Sequence, residues 1–132
     1  MTNQINFTFQ DSDWTPPTRF PDLRNEPEVA IDLETKDPEI KIKGPGWPTM
    51  NGNVIGVSVA TNNFKGYYPV AHEAGGNMDI RMVLNWIQDI CRSKATKLFH
   101  NAAYDIGWLR AHGVVVYGKI ADTMIAAALI DE

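Results

Sequence analysis

The strongest structural signal in the chain lies in Glu28-Val29-Ala30-Ile31-Asp32-Leu33-Glu34, at residues 28–34. The stretch starts apolar and then alternates apolar with acidic residues, which is typical of a strand that runs from a core to a site. Because alternate side chains of a strand point to opposite faces, Asp32 and Glu34 share one face and Leu33 points into the core. We therefore predict a strand with two carboxylates near its end.

The rest of the chain predicts two more strands, followed by alternating helices and strands. Short turns join strands at residues 54–60 and 66–70, and Pro69 indicates that the third strand lies at an edge or ends there. Downstream, the pattern predicts a helix at residues 80–91 with Asn77 or Asp79 as N-cap, a strand at 97–100, a helix at 101–112, a short extended strand at 114–117 and a last helix opened by Asp122. This order predicts an α/β fold, a mixed sheet with a three-stranded meander first.

Composition and charge exclude several classes of protein. A length of 132 residues is typical of one domain, and 12 basic against 16 acidic residues give a net charge of −4. That charge excludes binding of nucleic acid through a broad basic surface, but it is compatible with metal ions held by carboxylates. The single Cys91 excludes an internal disulfide and fits the apolar stripe of a helix. Because neither a secretory signal nor a membrane-spanning stretch is recognisable, the sequence predicts a soluble, cytoplasmic protein.

Residues 1–27 are predicted to form an irregular leader, and residues 28–132 the folded domain. The leader is polar, contains four prolines and has neither a helical nor a strand period. We expect it to be ordered only where its aromatic residues find a groove; these residues are Phe7, Phe9, Trp14 and Phe20.

Two groups of acidic and polar residues are candidates for a site. Asp32 and Glu34 at a strand end are suited to a hard divalent cation such as Mg²⁺, or they are solvated strand-end charges. In the second group, one helical face is formed by positions i, i+3, i+4 and i+7, which are Asn101, Tyr104, Asp105 and Trp108. Ile106 and Leu109 face the core from the other side. The alternative for this group is an N-cap Asn, a surface Asp and a partly buried Tyr.

Other polar residues are predicted to have structural roles. Asp122 directly precedes an apolar helical run, which is the usual position of an N-cap that accepts backbone N–H bonds. The three histidines have no partner at metal-ligand spacing, so we interpret them as structural or surface residues.

Four segments together resemble a known family: Ala30–Thr35, Gly66–His72, His100–Asp105 and Ile120–Met124. They resemble the proofreading 3′→5′ exonuclease domain of family A (polymerase I-like) DNA polymerases, in the ribonuclease-H-like DEDD superfamily. The resemblance covers residues 28–132 and implies a ribonuclease-H-like fold. With the net charge and the leader, it suggests a phage-type polymerase, which would act in the host cytoplasm.

The resemblance also implies roles for individual residues. Asp32 and Glu34 match the first exonuclease motif and would be metal ligands, and Asp105 matches the second motif and would hold a second metal ion. Asn101 and Tyr104 would contact the terminal nucleotide, and Thr35, which flanks the first motif, is a further candidate for substrate binding. Two Mg²⁺ or Mn²⁺ ions would then drive hydrolysis at a single-stranded DNA 3′ end.

One motif of the family has no counterpart in the sequence. It contains a Tyr or His and a fourth metal-binding Asp, and it lies downstream of the segment that starts at Asp122; Asp131 and Glu132 do not match it. We therefore expect a C-terminally incomplete domain with exposed apolar surface, completed by a polymerase domain or a second chain. The alternatives are a non-catalytic DNA- or polymerase-binding module and a ribonuclease-D-like RNA-processing exonuclease.

Overall fold

A five-stranded mixed sheet forms the centre of the protein. The computed structural model describes residues 14–130. The strands are β1 (Glu28–Lys36), β2 (Asn53–Ala60), β3 (Lys65–Pro69), β4 (Thr96–Phe99) and β5 (Ile120–Asp122). Their order across the sheet is β3-β2-β1-β4-β5; β1, β2 and β3 pair antiparallel, and β4 pairs parallel with both β1 and β5. The predicted mixed sheet with an initial meander is confirmed, and β3 both lies at an edge and ends at Pro69.

Between residues 14 and 130, four helices connect or follow the strands. They are α1 (Ile40–Lys43), α2 (Ile80–Arg92), α3 (Ala102–Ala111) and α4 (Thr123–Ile130), and a 3₁₀ turn spans Trp47–Thr49. Of the two predicted caps for α2, Asp79 is the N-cap, and its side chain accepts a hydrogen bond from the Arg81 N–H. The short α1 helix and the 3₁₀ turn lie between β1 and β2, in a segment that also contains Gly44, Pro45, Gly46, Pro48 and Gly52.

The two faces of β1 have different surroundings. Val29, Ile31 and Leu33 are buried in the core against α2 and α3, while Asp32 and Glu34 are exposed. The alternation predicted from the sequence is thus confirmed. The core also takes in Trp86 and Cys91 from α2 and the side chains of Trp108 and Leu109 from α3.

The pairing of β1 leaves one edge of its carboxyl-terminal half open. β4 pairs only with Glu28, Val29 and Ala30, whereas the β2 ladder continues to Lys36 with a register shift between Glu34 and Thr35. Backbone N–H groups beyond Ala30 on the β4 side therefore need partners from outside the sheet.

The prediction for residues 114–117 is wrong: this segment is not a strand, and the fifth strand is β5 at Ile120–Asp122. The apolar run resembles a strand, but its backbone groups bond to α2. The side chain of Gln88 bonds both the N–H and the carbonyl of Val115, and the N–H of Tyr117 donates to the Cys91 carbonyl. Asp122 is accordingly the last residue of a strand as well as the residue before α4.

The described part of the predicted leader, residues 14–27, is irregular but packs on the domain. Phe20 stacks on Tyr68 with ring centroids 5.4 Å apart, and Leu23 is buried. The Trp86 indole N–H donates to the Pro21 carbonyl at 2.8 Å. Of the other predicted docking aromatics, Phe7 and Phe9 lie outside the described residues. The division of the chain at residue 27 stays a prediction.

The opposite face of the sheet and α4 expose apolar surface. No residue of α4 is buried, and Ile125, Leu129 and Ile130 are more than half exposed. Beside α4, an open cavity of about 380 Å³ is lined by residues that include Ala30, Ala60 and Leu98. Across residues 14–130, no helix is long and apolar enough to cross a lipid bilayer.

Candidate metal centre and substrate site

Asp32 and Asp105 come together at the open edge of β1. Asp105 lies in the first turn of α3, the helix that follows β4 in the chain, and is only 3% exposed. The backbone N–H of Leu33, on the strand that carries Asp32, lies near the Asp105 carboxylate and acts to lower its pKa. Asp32 is exposed and borders the open cavity. The parallel placement of β4 beside β1 thus positions the first turn of α3 near Asp32 on β1.

The Asp105 carboxylate lies in an unfavourable environment for a negative charge. Burial raises its pKa to about 7, and the negative charges of Asp32 and, more weakly, Asp122 act in the same direction. The nearby Leu33 N–H opposes this rise. The Oδ2 atom of Asp105 is buried and has no hydrogen-bond partner. A buried, unpaired carboxylate oxygen beside a second carboxylate is costly unless a proton or a cation is present.

Glu34 is held by a neighbouring tyrosine. The Tyr67 hydroxyl donates to Glu34 Oε2 at 2.7 Å and also contacts His72 Nε2. Burial, and then the hydrogen bond to Glu34, raise the pKa of Tyr67, so its phenol stays protonated and remains a donor. The Glu34 side chain is nevertheless 57% exposed.

The three predicted metal ligands do not form one compact cluster. Within residues 14–130, no three His, Cys, Asp or Glu side chains lie close enough to hold a single cation. Asp105 lies near Asp32, whereas Glu34 is bonded to Tyr67.

The residues present fit a hard divalent cation. Carboxylate oxygens are the ligands that Mg²⁺ prefers, and the unpartnered Oδ2 of Asp105 is a ligand atom that nothing else in the described structure satisfies. A divalent cation near Asp32 and Asp105 would also stabilise the charged form of both side chains.

Tyr104 and Thr35, both predicted to bind substrate, are bonded to each other. The Tyr104 hydroxyl lies 2.8 Å from Thr35 Oγ1 and donates to Asp37 Oδ2 at 3.0 Å, so Thr35 is the donor of the first bond. Asp37 also accepts from the Gly46 N–H and thus ties the loop after β1 to α3. The phenol of Tyr104 is therefore fixed beside the end of β1.

Asn101 precedes α3 in the left-handed conformation, with φ 66° and ψ 63°, and its side chain is exposed and makes no capping bond. Its alternative role as a side-chain N-cap is therefore not realised. The capping is done by Asp122, which accepts from the N–H groups of Asn101 and Ala102 at 3.0 and 2.8 Å. Asp122 also accepts from the Met124 N–H at 3.0 Å, which confirms its predicted capping of the last helix. These bonds lower the pKa of Asp122.

Trp108 belongs to the core and not to the predicted polar face. It is fully buried, and its ring lies so close to Gly52 that a Cβ there would be 3.1 Å from Trp108 Cη2. The helical spacing of Trp108 from Asp105 is as predicted, but α3 is buried on more than one side.

Sequence reasoning missed Asp37, Tyr67 and His72 as neighbours of the site. Tyr67 and His72 lie in a segment that contributed to the resemblance, and the strand period puts Tyr67 on one face of β3. Its pairing with Glu34 depends on the cross-strand register, in which Tyr67 lies opposite Ser58 and Ser58 opposite Asp32. That register is a tertiary property.

Comparison with known proteins shows similarity over most of the chain. A family model described as 3′-5′ exonuclease matches residues 18–132, which includes the end of the segment interpreted as a leader. The chain is 34% identical over 113 residues to a DNA-directed DNA polymerase of Pseudomonas phage M6, covering 82% of this chain and 17% of that protein. It is 33% identical over 115 residues to DNA polymerase DpoZ of Salmonella phage PMBT28, covering 86% of this chain and 16% of that protein. The chain thus spans less than a fifth of the length of these relatives.

Solved structures show the same fold at lower sequence identity. The Aedes aegypti Nibbler EXO domain matches with a TM-score of 0.59 and 15% identity over 86% of this chain and 50% of that one. Brucella melitensis NrnC with bound Mg²⁺ matches with a TM-score of 0.53 and 20% identity over 87% of this chain and 50% of that one. These matches confirm the ribonuclease-H-like fold. The family model and the polymerase relatives establish that this chain belongs to the 3′-5′ exonuclease family.

Proposed function

We propose that the chain is the 3′→5′ exonuclease module of a phage-type DNA polymerase, acting in the host cytoplasm. It hydrolyses the terminal phosphodiester of single-stranded DNA 3′ ends and depends on two divalent cations, Mg²⁺ or Mn²⁺. The observation that carries this proposal is the buried Asp105 carboxylate with its unpartnered Oδ2 near Asp32. A buried carboxylate of this kind does nothing for packing, but it is suited to a cation.

The acidic residues divide between the two ions in this proposal. Asp32 and Glu34, on one face of β1, hold the first, and Asp105 holds the second beside Asp32. When bound, the two ions activate water and stabilise the attacking and leaving oxygens of an in-line displacement. The carboxylates of the chain offset the charge of the ions, and the nearby Leu33 N–H favours the charged form of Asp105.

The polar residues beside the carboxylates bind the substrate in this proposal. Asn101 presents an exposed amide at the start of α3, where it reaches the sugar or phosphate of the last nucleotide. Tyr104 presents a ring whose hydroxyl is fixed by Thr35 and Asp37, which suits stacking on a terminal base. Thr35 thereby contributes mainly through Tyr104.

A polymerase domain or a second chain completes the site in this proposal by supplying the family's third motif. Two observations support it. Both similar phage proteins are DNA polymerases much longer than this chain. The apolar side chains of α4, above all Leu129 and Ile130, are exposed beside the sheet face that carries Asp32, where a further segment would bury them.

The proposal is tested by cleavage of a 5′-labelled single-stranded DNA oligonucleotide. The purified chain is assayed with Mn²⁺, with Mg²⁺ and with EDTA, beside Asp32→Ala and the exposed control Asp89→Ala on α2. Circular dichroism establishes that each protein is folded. In the presence of a polymerase segment that carries the third motif, we expect a metal-dependent ladder that shortens from the 3′ end in wild type and the control and is absent in Asp32→Ala, because the metal sites share Asp32.

Each other outcome points to an alternative. A folded wild-type chain that binds DNA without cleaving it, with and without a polymerase segment carrying the third motif, favours the non-catalytic module. An RNA oligonucleotide of the same sequence that is cleaved much faster than DNA favours a ribonuclease-D-like enzyme. Full metal-dependent cleavage by Asp32→Ala would show that the site assignment is wrong.

A further inference from the structure

We propose that Tyr67 is a positioning residue for Glu34: through one hydrogen bond it orients the carboxylate so that Oε1 stays free for a metal ion. This inference rests on the proposed function, because it concerns the same site. It adds a residue from β3, on the far side of β2, to a site otherwise built from β1 and α3.

The hydrogen-bond directions around Tyr67 are set by its single proton. The hydroxyl donates to Glu34 Oε2 at 2.7 Å, since an ionised carboxylate only accepts. Toward His72 Nε2 the hydroxyl oxygen must therefore accept, which places a hydrogen on that ring nitrogen. His72 thus supports Tyr67, and Tyr67 supports Glu34. Among the described contacts, only Oε2 of Glu34 is engaged.

The backbone of β2 is built to admit the Tyr67 ring. Gly56 lies opposite Glu34 in the β1–β2 ladder, and a Cβ at Gly56 would lie 1.9 Å from the Tyr67 hydroxyl oxygen. Any other residue at position 56 would displace the ring from Glu34. Trp14 packs on the ring as well, with centroids 5.9 Å apart.

The expected gain comes from restricting a long side chain. Glu34 is more than half exposed, and a free glutamate loses considerable rotamer freedom when a cation immobilises it. A hydrogen bond that holds the carboxylate before the metal ion arrives removes part of this cost. Hydrogen bonds to charged groups are strong enough to change a binding constant by about tenfold.

The test is Mn²⁺ binding to the full chain, measured by electron paramagnetic resonance of the free ion. Tyr67→Phe removes only the hydroxyl, and we expect about tenfold weaker binding at one site. Tyr68→Phe is the matched control, because the neighbouring hydroxyl donates to the Arg19 carbonyl on the other face of the sheet. It should bind Mn²⁺ as wild type does. Gly56→Ala should weaken binding as Tyr67→Phe does.

A double-mutant cycle separates positioning from a general structural role. If Tyr67 acts through Glu34, Tyr67→Phe has no further effect on Mn²⁺ binding once Glu34→Ala is present. An equal tenfold loss in both backgrounds overturns the inference, as does unchanged or tighter binding by Tyr67→Phe. If Asp32→Ala and Glu34→Ala weaken Mn²⁺ binding but Tyr67→Phe does not, the positioning role of Tyr67 is refuted and the proposed function is not. Equal binding by wild type and Asp32→Ala overturns the proposed function and this inference with it.

Discussion

The buried carboxylate of Asp105 makes the stability of the metal-free protein depend on pH. Its pKa rises from 3.8 to about 7, mainly through burial and then through the charge of Asp32. Between these two values the folded chain keeps a proton that the unfolded chain releases, so the free energy of unfolding falls as the pH rises. At about 1.4 kcal/mol per unit, the whole shift corresponds to about 4 kcal/mol.

The substitution Asp105→Asn removes this titration while keeping the shape of the side chain and an oxygen for the Leu33 N–H. When the pH is raised from about 5 to about 8, the free energy of unfolding of wild type falls until the pKa of about 7 is passed. Roughly two pH units contribute, which corresponds to about 3 kcal/mol. We expect the stability of Asp105→Asn relative to wild type to increase by about this amount across that range. The assay is urea unfolding in EDTA at several pH values.

The control for the lost carboxylate is Asp89→Asn, at an exposed position of α2. The reasoning is refuted if the difference between Asp105→Asn and wild type stays constant with pH, or if wild type gains on the variant above about pH 7. Added Mg²⁺ at about pH 8 should stabilise wild type more than Asp105→Asn, because the variant keeps the ligands of one ion but loses a ligand of the other.

Two further predictions concern packing and charge outside the site. Lys97 is fully buried and donates to the carbonyls of Ser93 and Tyr117, and burial lowers its pKa. Between the lowered pKa and 10.5, Lys97 is protonated in the unfolded chain and neutral in the folded chain. The free energy of unfolding of wild type, measured in urea, should therefore rise with pH in this range relative to that of Lys97→Met. A fall with pH would contradict the burial argument. At Gly107 an added Cβ would lie 2.4 Å from Trp47 Cε2. Gly107→Ala should therefore lower the free energy of unfolding by about 1–2 kcal/mol, measured by thermal or urea unfolding, although alanine has the better helix propensity. Unchanged or higher stability would show that the 3₁₀ turn moves aside at no cost.

The fold is largely encoded in local periodicity. The alternation in β1 places Asp32 and Glu34 on one face, and the apolar stripe of α2 identifies its buried side. These predictions succeed because side-chain direction follows from backbone geometry alone. The prediction of a short strand at residues 114–117 is wrong because periodicity describes only the side chains. The backbone of Val115 bonds to the Gln88 side chain and not to another strand.

The site is only partly readable in this way. Sequence reasoning selects Asp32, Glu34 and Asp105 as candidate metal ligands. It does not show which of these side chains is buried. Asp105 is buried because β4 pairs with only the first residues of β1, so the first turn of α3 reaches the Leu33 N–H. No feature of residues 100–105 predicts this contact.

Long-range partners were decided by the tertiary structure. Asp122 caps its own helix, as the sequence predicts, and also caps α3, because the parallel pairing of β4 and β5 brings two helix starts to one end of the sheet. The bond from Tyr67 to Glu34 requires the β2 register and the missing side chain of Gly56. Residue types and their spacing are local properties that can be read from a single sequence. Which hydroxyl meets which carboxylate depends on how strands pair, and that pairing is set by the burial of the whole core.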